Sequence, residues 1–381
     1  MRFLSAAVVL LAVAMGVGRF AYTPLLPLME HGAGLSHAMA GLIASSNLAG
    51  YLVGAISASS TRFRTRRLQG VWWAIAIVIA TTALIAFTPV SAWIVVRFVT
   101  GVASGFAFVL GSSIVLDRAA FERRPDWVAI FYGGVGAGIA LTAVAVPLLG
   151  AWGGWRAGWL GLGAISLVLC AVTMPWLTDS TNAEIGARPQ ETSKLDPRLF
   201  GWLFAAYGAQ GMGYVIPATF IVAMIASIPS IAKFAAASWV VVGVVAIPST
   251  IIWNRLGIAF GRDVALVVAL IVMAVGAMAP VVAPNGFGVI LSAATLGGTF
   301  VGVTALANAL GRALQPERSH IAIGRLTAGF GVGQILGPAV AGLLIADLGS
   351  YTPALVVASS VLCLAAAVIA CGAILARTRT A

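Results

Sequence analysis

Long runs of apolar residues dominate the chain, and short polar stretches separate them. Each run is near or above the roughly 20 residues that an α-helix needs to cross the hydrocarbon core of a membrane. Helix is the structure expected for each run, because backbone groups in lipid must be paired within their own segment. The pattern predicts an all-α membrane protein with twelve transmembrane helices, at residues 4–29, 37–60, 69–88, 91–115, 127–149, 155–177, 199–226, 231–253, 263–284, 286–310, 322–346 and 351–376.

One polar stretch, between the sixth and seventh runs, is long enough to be a linker. It predicts a six-helix half at residues 1–178, a cytoplasmic linker at 179–198 and a second six-helix half at 199–381. Three glycine clusters support a repeat, because they recur in the second half at offsets of 195, 197 and 197 residues: Gly16-Val17-Gly18 as Gly211-Met212-Gly213, Gly101/Gly105 as Gly298/Gly302, and Gly134-Val135-Gly136 as Gly331-Val332-Gly333. Two six-helix repeats are the architecture of a secondary transporter whose halves rock about a central site.

Composition excludes a soluble globular enzyme. The 381 residues are 61% hydrophobic and 9% charged, whereas soluble domains have about 25% charged residues. The net charge of +11 does not indicate nucleic-acid binding, because the basic residues lie between apolar runs and form no basic face. Cys170, Cys363 and Cys371 lie within apolar runs and match no disulfide or metal-ligand spacing. We expect no metal site, no cofactor and no enzymatic activity.

The basic residues also predict the orientation in the membrane. With twelve spans, all but Arg19, Arg97, Arg156 and Lys233 of the 22 lysines and arginines fall at one face. Cytoplasmic loops of membrane proteins are rich in lysine and arginine. We therefore expect both termini to be cytoplasmic in a multi-pass protein of the cytoplasmic (inner) membrane.

Five short motifs carry a resemblance to a known family: Gly-Val-Gly-Arg-Phe-Ala-Tyr-Thr-Pro-Leu-Leu-Pro at 16–27, Gly-Val-Gly-Ala-Gly-Ile-Ala-Leu at 134–141, Trp-Arg-Ala-Gly-Trp-Leu-Gly at 155–161, Gly-Tyr-Val-Ile-Pro-Ala-Thr-Phe at 213–220 and Gly-Val-Gly-Gln-Ile-Leu-Gly-Pro at 331–338. On these residues the chain resembles the major facilitator superfamily, and within it the YbfB/YjiJ-like transporters. The resemblance implies alternating access, a central cavity lined by spans 1 and 4, and a monomer. It implies no settled substrate.

The chain departs from this superfamily in the loop between spans 2 and 3. The superfamily has an aspartate where this chain has Ala58, and only a basic run at 62–67 remains. The second-half copy is better kept, as Asn254-Arg255-Leu256-Gly257, although asparagine replaces the acid. The departure leaves an Asp–Arg inner gate in doubt.

Two arginines, Arg19 in span 1 and Arg97 in span 4, are predicted to lie deep in the membrane. An arginine at the centre of a membrane helix costs about 2.5–3.5 kcal/mol on insertion scales, and all eleven acidic residues lie in loops or at span ends. An anionic cargo fits this charge, since arginine binds carboxylate or phosphonate oxygens in a bidentate manner. For Arg97 a structural role, bonding backbone carbonyl groups, has equal weight.

Further residues are predicted around these arginines. Tyr22 shares a helix face with Arg19, and Tyr214 is its counterpart at offset 195. Gln210 and Gln334 are mid-span amides that accompany glycine clusters. The predicted substrate-binding residues are Arg19, Tyr22, Arg97, Gln210, Tyr214 and Gln334, and the predicted gating or conformational residues are Gly101, Gly105, Gly134, Gly138, Asn254, Arg255 and Pro338.

The function predicted from the sequence is transport of a small organic anion or zwitterion by alternating access. The coupling partner stays open between a proton, a counter-anion and none. Alternatives are an exporter of hydrophobic drugs or metabolites and a non-transporting membrane receptor of the same fold. A cationic drug is disfavoured because no acidic residue lies mid-span to hold it.

Overall fold

The computed structural model of the chain describes residues 1–60, 65–124, 126–179, 198–316 and 319–378. These residues form helices joined by short turns and contain no strand, and eleven helical segments are long and apolar enough to cross a membrane. The helices are α1 (Arg2–Leu11), α2 (Tyr22–Ala33), α3 (His37–Ala58), α4 (Arg67–Leu84), α5 (Trp93–Phe121), α6 (Asp126–Thr173), α7 (Leu199–Ser227), α8 (Ala235–Phe260), α9 (Arg262–Val282), α10 (Gly286–Leu314), α11 (Ser319–Leu348) and α12 (Thr352–Thr378). Most of the predicted linker 179–198 lies outside the described residues.

The first span is continuous but changes its helical type along its length. Between α1 and α2 lies a π-helix, Ala12–Phe20, in which all nine residues are buried. Long π-helices are rare, and π-helical turns are frequent at functional sites. The sequence pattern predicted helix here and did not distinguish π from α.

Helix α6 joins the fifth and sixth predicted spans across a break. Gly153 and Gly154 have non-helical backbone angles, and the φ of +63° at Gly154 is one that glycine adopts at no steric cost. Beyond the break the chain returns along itself, because Gly161 packs against Leu149. Eleven helical segments therefore correspond to twelve apolar runs.

Two groups of side-chain contacts define the two ends of the bundle. At one end, which we call the Glu30 end, Trp155 packs against Trp93 and Gly32. At the other, which we call the Arg67 end, Arg67 on α4 bonds to Asp117 of α5 and to Asp179, which follows α6. Asp117, shortly before α6, and Asp179, shortly after it, both lie at the Arg67 end, whereas Trp155, in the middle of α6, lies at the Glu30 end. Helix α6 therefore runs from the Arg67 end to the Glu30 end and back.

Two of the helix pairs that join residues before 180 to residues after 198 meet at glycines. In the first pair, α6 meets α8, and a Cβ on Gly136 would lie 2.5 Å from the carbonyl oxygen of Gly243. In the second, α3 meets α11, and a Cβ on Gly41 would lie 2.1 Å from the carbonyl oxygen of Pro338. Glycine is required at both seams because a side chain would force the helices apart.

Candidate functional site

Arg19 lies at the centre of the bundle, near the end of the π-helix, and is 8% exposed. Its Nη2 donates a hydrogen bond of 2.7 Å to the hydroxyl of Tyr214 on α7, 195 residues further along the chain. Four residues on, the Thr23 hydroxyl donates to the carbonyl oxygen of Ala218, also 195 residues away. The predicted counterparts Arg19 and Tyr214 are therefore direct partners.

Tyr214 and two rings surround the Arg19 guanidinium. The Tyr214 hydroxyl also accepts a hydrogen bond from Nε2 of Gln334 on α11. The guanidinium carbon lies 5.0 Å from the centre of the Phe20 ring and 5.2 Å from that of Tyr51. These distances are within the range of cation–π attraction. Arg19, Tyr214 and Gln334 form a connected polar centre within a cage of rings.

The charge of Arg19 has no acidic partner among the residues that the structure describes. The bond to the neutral Tyr214 hydroxyl is also the only hydrogen bond that its guanidinium donates there. A guanidinium has five N–H donors in a planar fork that matches a carboxylate or phosphate group. The centre of the bundle is therefore positive and has hydrogen-bond donors to spare.

Four rings on α7, α10 and α11 are nearly parallel. Tyr214 has Phe300 of α10 on one side, at 6.0 Å and 5° between planes, and Phe330 of α11 on the other, at 5.6 Å and 6°. Tyr207 stacks on Phe330 at 4.6 Å. The polar centre is thus built into an extended aromatic wall, which the sequence analysis did not predict.

Arg97 is 1% exposed and lies in a different environment. Its Nη1 donates to the carbonyl oxygen of Gly18 at 2.9 Å, and its Nη2 donates to that of Arg19 at 3.1 Å. The rings of Tyr22 and Trp159 lie 5.5 Å from its guanidinium carbon. Its guanidinium therefore contacts the backbone of the π-helix.

The π-helix explains why one of these carbonyl groups, that of Arg19, needs a side-chain partner. A π-helix bonds each carbonyl to the N–H five residues on, and the residue five positions after Arg19 is Pro24, which has no N–H. Asn47 supports the same turn, because its Nδ2 bonds to the carbonyl oxygens of Arg97 at 2.9 Å and Gly18 at 3.4 Å. Arg97 and Asn47 hold the turn that carries Arg19.

Tyr22 and Gln210 lie outside the polar centre. The Tyr22 hydroxyl donates to the carbonyl oxygen of Ala40 at 3.0 Å, and its ring faces Arg97. Gln210 is fully buried, its Nε2 lies 3.9 Å from the sulfur of Met273 on α9, and its Oε1 has no hydrogen-bond partner among the described residues. Of the six predicted binding residues, the structure brings together Arg19, Tyr214 and Gln334.

The predicted conformational glycines pack helices within one half. Gly101 and Gly105 on α5 lie against the backbone of α3, and Gly134 and Gly138 on α6 lie against that of the first span. Pro338 is at the α3–α11 seam, while Asn254 and Arg255 are exposed on α8. Their gating role stays a prediction.

A cavity of about 710 Å³ opens at the Glu30 end, between residues of α2, α7, α9 and the turn before α12. In its wall Glu30 is paired with His37 at 2.9 Å, and the His37 ring meets that of Tyr351. Burial raises the pKa of Tyr351 above its ordinary value, so its hydroxyl is neutral. The described residues contain no group of three or more metal-ligating side chains.

Four aromatic residues of the centre were missed by the sequence analysis: Tyr51, Tyr207, Phe300 and Phe330. Their only signal in the sequence is an aromatic residue within a predicted span, which is more often a packing residue. The glycines at 16 and 18 beside Arg19 are the one local sign of unusual backbone in the first span.

Comparison with protein families places these features in context. The model of a family described as "Uncharacterised MFS-type transporter YbfB" matches residues 11–370 of the chain. A comparison with curated proteins gives no match. Since the family model covers nearly the whole chain, including the π-helix and the polar centre, the chain belongs to the YbfB group of major facilitator superfamily transporters and is a multi-pass membrane protein.

Proposed function

We propose that this protein is a secondary transporter that moves a small organic anion or zwitterion across the cytoplasmic membrane by alternating access. The observation that carries the proposal is Arg19. Its guanidinium is buried at the centre, is bonded to a neutral hydroxyl and has no acidic partner among the described residues. A carboxylate or phosphonate would supply the missing negative charge and accept the unused N–H groups.

The proposed architecture has twelve spans in two six-helix repeats. The reversal of α6 at Gly153–Gly154 supports it, since counting the two arms separately gives six spans before the linker. The contacts between residues 195 apart support it as well, because residues of two copies meet their own counterparts at an axis that relates the copies. The Arg67 end would be cytoplasmic under the positive-inside rule.

Within this site Arg19 binds the anionic group, while Tyr214 and Gln334 contact the same group from the opposite half. Arg97 is a positioning residue, because it holds the carbonyl groups of the turn that carries Arg19. The Tyr22 ring packs against the Arg97 guanidinium. The Oε1 of Gln210 on α7, which has no hydrogen-bond partner among the described residues, is a further acceptor. The working unit is a monomer in the lipid bilayer, coupled to a proton or a counter-anion or acting as a facilitator.

A carrier of hydrophobic metabolites is a second candidate, and the aromatic wall favours it. The two candidates differ in their need for a negative charge on the cargo. A neutral hydrophobic compound would not require the Arg19 guanidinium, whereas an acid would.

The test is a thermal-shift screen of small carboxylates, phosphonates and their neutral amides on purified wild-type protein, followed by uptake into liposomes. We expect acids to raise the melting temperature and their amides to have no effect. Arg19→Gln should abolish the shifts, and Arg156→Gln should retain them, since Arg156 is an exposed arginine whose Nε bonds to the carbonyl oxygen of Ala86.

Two results would contradict the proposal. If no acid in the library stabilises or crosses liposomes that contain the protein, the cargo is not an organic anion. If acids and amides bind equally to wild type and to Arg19→Gln, the hydrophobic-metabolite candidate replaces it.

A further inference from the structure

Beside Arg19 the wall of the centre contains a second hydrogen-bond donor. Trp239 on α8 is fully buried, and its Nε1–H has no hydrogen-bond partner among the described residues. An unpaired buried N–H is costly, since it has lost its bonds to water without replacement. A donor kept in this state is expected to have a partner in another step of the protein's cycle.

Trp239 lines a narrow crevice together with three other rings, those of Phe20, Tyr214 and Phe300. The remaining lining residues are all aliphatic: Ile139, Ala218, Val242 and Leu296. Among the described residues, the only polar side-chain atoms at the crevice are therefore on aromatic side chains. Phe20 lies 6.4 Å from Trp239 and meets Phe300 edge to face at 5.7 Å. The crevice adjoins Arg19 directly, because Phe20 and Tyr214 both contact the guanidinium.

Helices on both sides of the molecule form this crevice. Phe20 and Ile139 belong to the residues before the linker, while Tyr214, Trp239, Leu296 and Phe300 follow it. Separation of the halves would widen the crevice into a slot with ring faces on both walls. Planar aromatic groups fit such a slot, since aromatic pairs gain energy beyond the burial of their area.

We propose that the cargo is an aromatic acid, whose ring lies between Phe20, Phe300 and Trp239 and whose anionic group lies at Arg19. This inference rests on the proposed function and narrows it to one class of substrate. The indole N–H of Trp239 bonds to a polar oxygen of the cargo. The nearly parallel rings of Tyr214 and Phe300, 6.0 Å apart, supply the flat wall.

The test compares matched acids that differ only in aromaticity: benzoate with cyclohexanecarboxylate, phenylacetate with cyclohexylacetate, and 3-phenylpropionate with 3-cyclohexylpropionate. Affinities are measured by calorimetry on the purified full chain in detergent. We expect the aromatic member of at least one pair to bind about three- to tenfold more tightly.

Two variants separate the ring and the donor. Phe300→Leu keeps an apolar side chain of related size but removes a ring face, and we expect it to abolish the preference for the aromatic acid while acids still bind. Trp239→Phe keeps a ring and removes the N–H, and we expect about tenfold weaker binding. Phe287→Leu, at a residue on α10 that is 73% exposed, is the matched control and should change neither property.

The outcomes distinguish this inference from the function on which it rests. Equal binding of both members of every pair, with Arg19→Gln still abolishing that binding, would overturn the aromatic specificity and leave the anion transporter intact. An aromatic preference that survives Phe300→Leu would also overturn it, because the preference would then arise elsewhere. An unchanged affinity for acids in Trp239→Phe would overturn the assignment of the indole N–H to the cargo. Binding that does not depend on Arg19 would overturn both.

Discussion

Two buried arginines of the same charge have different surroundings, and these surroundings suggest different roles. Arg97 donates to two carbonyl oxygens and lies between two rings, so its charge is dispersed over backbone and aromatic groups. Arg19 donates to one hydroxyl and keeps most of its donors for another partner. The difference follows from neighbouring residues, since Pro24 has no N–H to bond to the Arg19 carbonyl group in the π-helical pattern, and Arg97 bonds to that group instead.

Replacing Arg97 should therefore affect stability more than replacing Arg19. Arg97→Gln leaves at least one buried carbonyl group unsatisfied, at a cost of about 1–3 kcal/mol, and we expect a lower melting temperature in detergent. Arg19→Gln should change the melting temperature less while abolishing the stabilisation by acids. A variant Arg97→Gln that is as stable as wild type but no longer binds acids would instead place Arg97 in direct contact with the cargo.

At the scale of elements, close helix contacts depend on glycines that leave room for a neighbouring backbone. Gly138 on α6 is one of these, and it faces both Ala12 and Gly16 of the π-helix. The contact sets the distance between the π-helix and α6, and with it the position of Arg19. Ordinary α-helical packing rules do not predict this contact, since the π-helix turns its residues through a different angle.

Gly138→Ala tests this contact. A methyl group on Gly138 would lie 2.4 Å from the carbonyl oxygen of Ala12, so we expect a loss of about 1–3 kcal/mol of stability by overpacking. Gly201→Ala on α7 is the control, because no described atom beyond its own helix backbone and chain neighbours lies within 4 Å of the added methyl group. It should be neutral or stabilising by up to about 1 kcal/mol through helix propensity. Equal melting temperatures for the two variants would show that α6 can move to accommodate the methyl group without loss of stability.

The Arg67 cluster joins α4, α5 and the chain that follows α6. Arg67 bonds to Asp117, to Ser113 at 2.7 Å, and to Asp179 at 2.7 and 3.1 Å, with the Asp179 side chain 8% exposed. The cluster contains Arg67, which belongs to the basic run at 62–67. Its two acids, Asp117 and Asp179, are among those that the sequence analysis placed in loops or at span ends. The cluster ties α4, α5 and the chain after α6 together.

Asp179→Asn should remove an ion pair that is largely shielded from water, with a cost of about 3 kcal/mol. Asp126→Asn removes an exposed pair with Arg124, and exposed pairs contribute little to stability because water and salt screen them. We expect a clear fall in melting temperature for the first variant and almost none for the second. A fall of the same size in both would mean that the Arg67 cluster is no stronger than a surface pair.

The sequence predicted the helices better than the centre, for physical reasons. Apolar runs such as 199–226 and 286–310 mark spans because lipid imposes length and composition on every helix. The pairing of Arg19 with Tyr214 could be anticipated from the 195-residue offset. The π-helix, the aromatic wall and the backbone role of Arg97 could not, since each depends on how helices distant in sequence approach one another.

At the scale of the whole molecule, the reversal of α6 decides whether the chain crosses the membrane eleven or twelve times. With twelve crossings, the turn at Gly153–Gly154 lies on the face opposite to both ends of the 126–176 segment. Trp152, which is 93% exposed, is at that turn. Arg123 precedes the segment and Thr178 follows it, and both are exposed.

Cysteine labelling in intact cells tests this topology in a variant that lacks Cys170, Cys363 and Cys371. We expect an impermeant maleimide to label Trp152→Cys from outside, and to label Arg123→Cys and Thr178→Cys only after the cells are opened. Labelling of Arg123→Cys and Thr178→Cys from opposite sides would mean that the segment crosses once, and the two-repeat architecture would fail.

The bond between Arg19 and Tyr214 makes the two walls of the centre chemically unequal, a cation facing a hydroxyl. A solute that bridges them has an anionic end at the guanidinium and a different group at the hydroxyl. Binding in the reverse orientation would remove its contact with the guanidinium. Three different points of attachment, the guanidinium, the hydroxyl and the ring slot, are sufficient to distinguish two enantiomers. We therefore expect the carrier to choose between the mirror-image forms of a chiral acid.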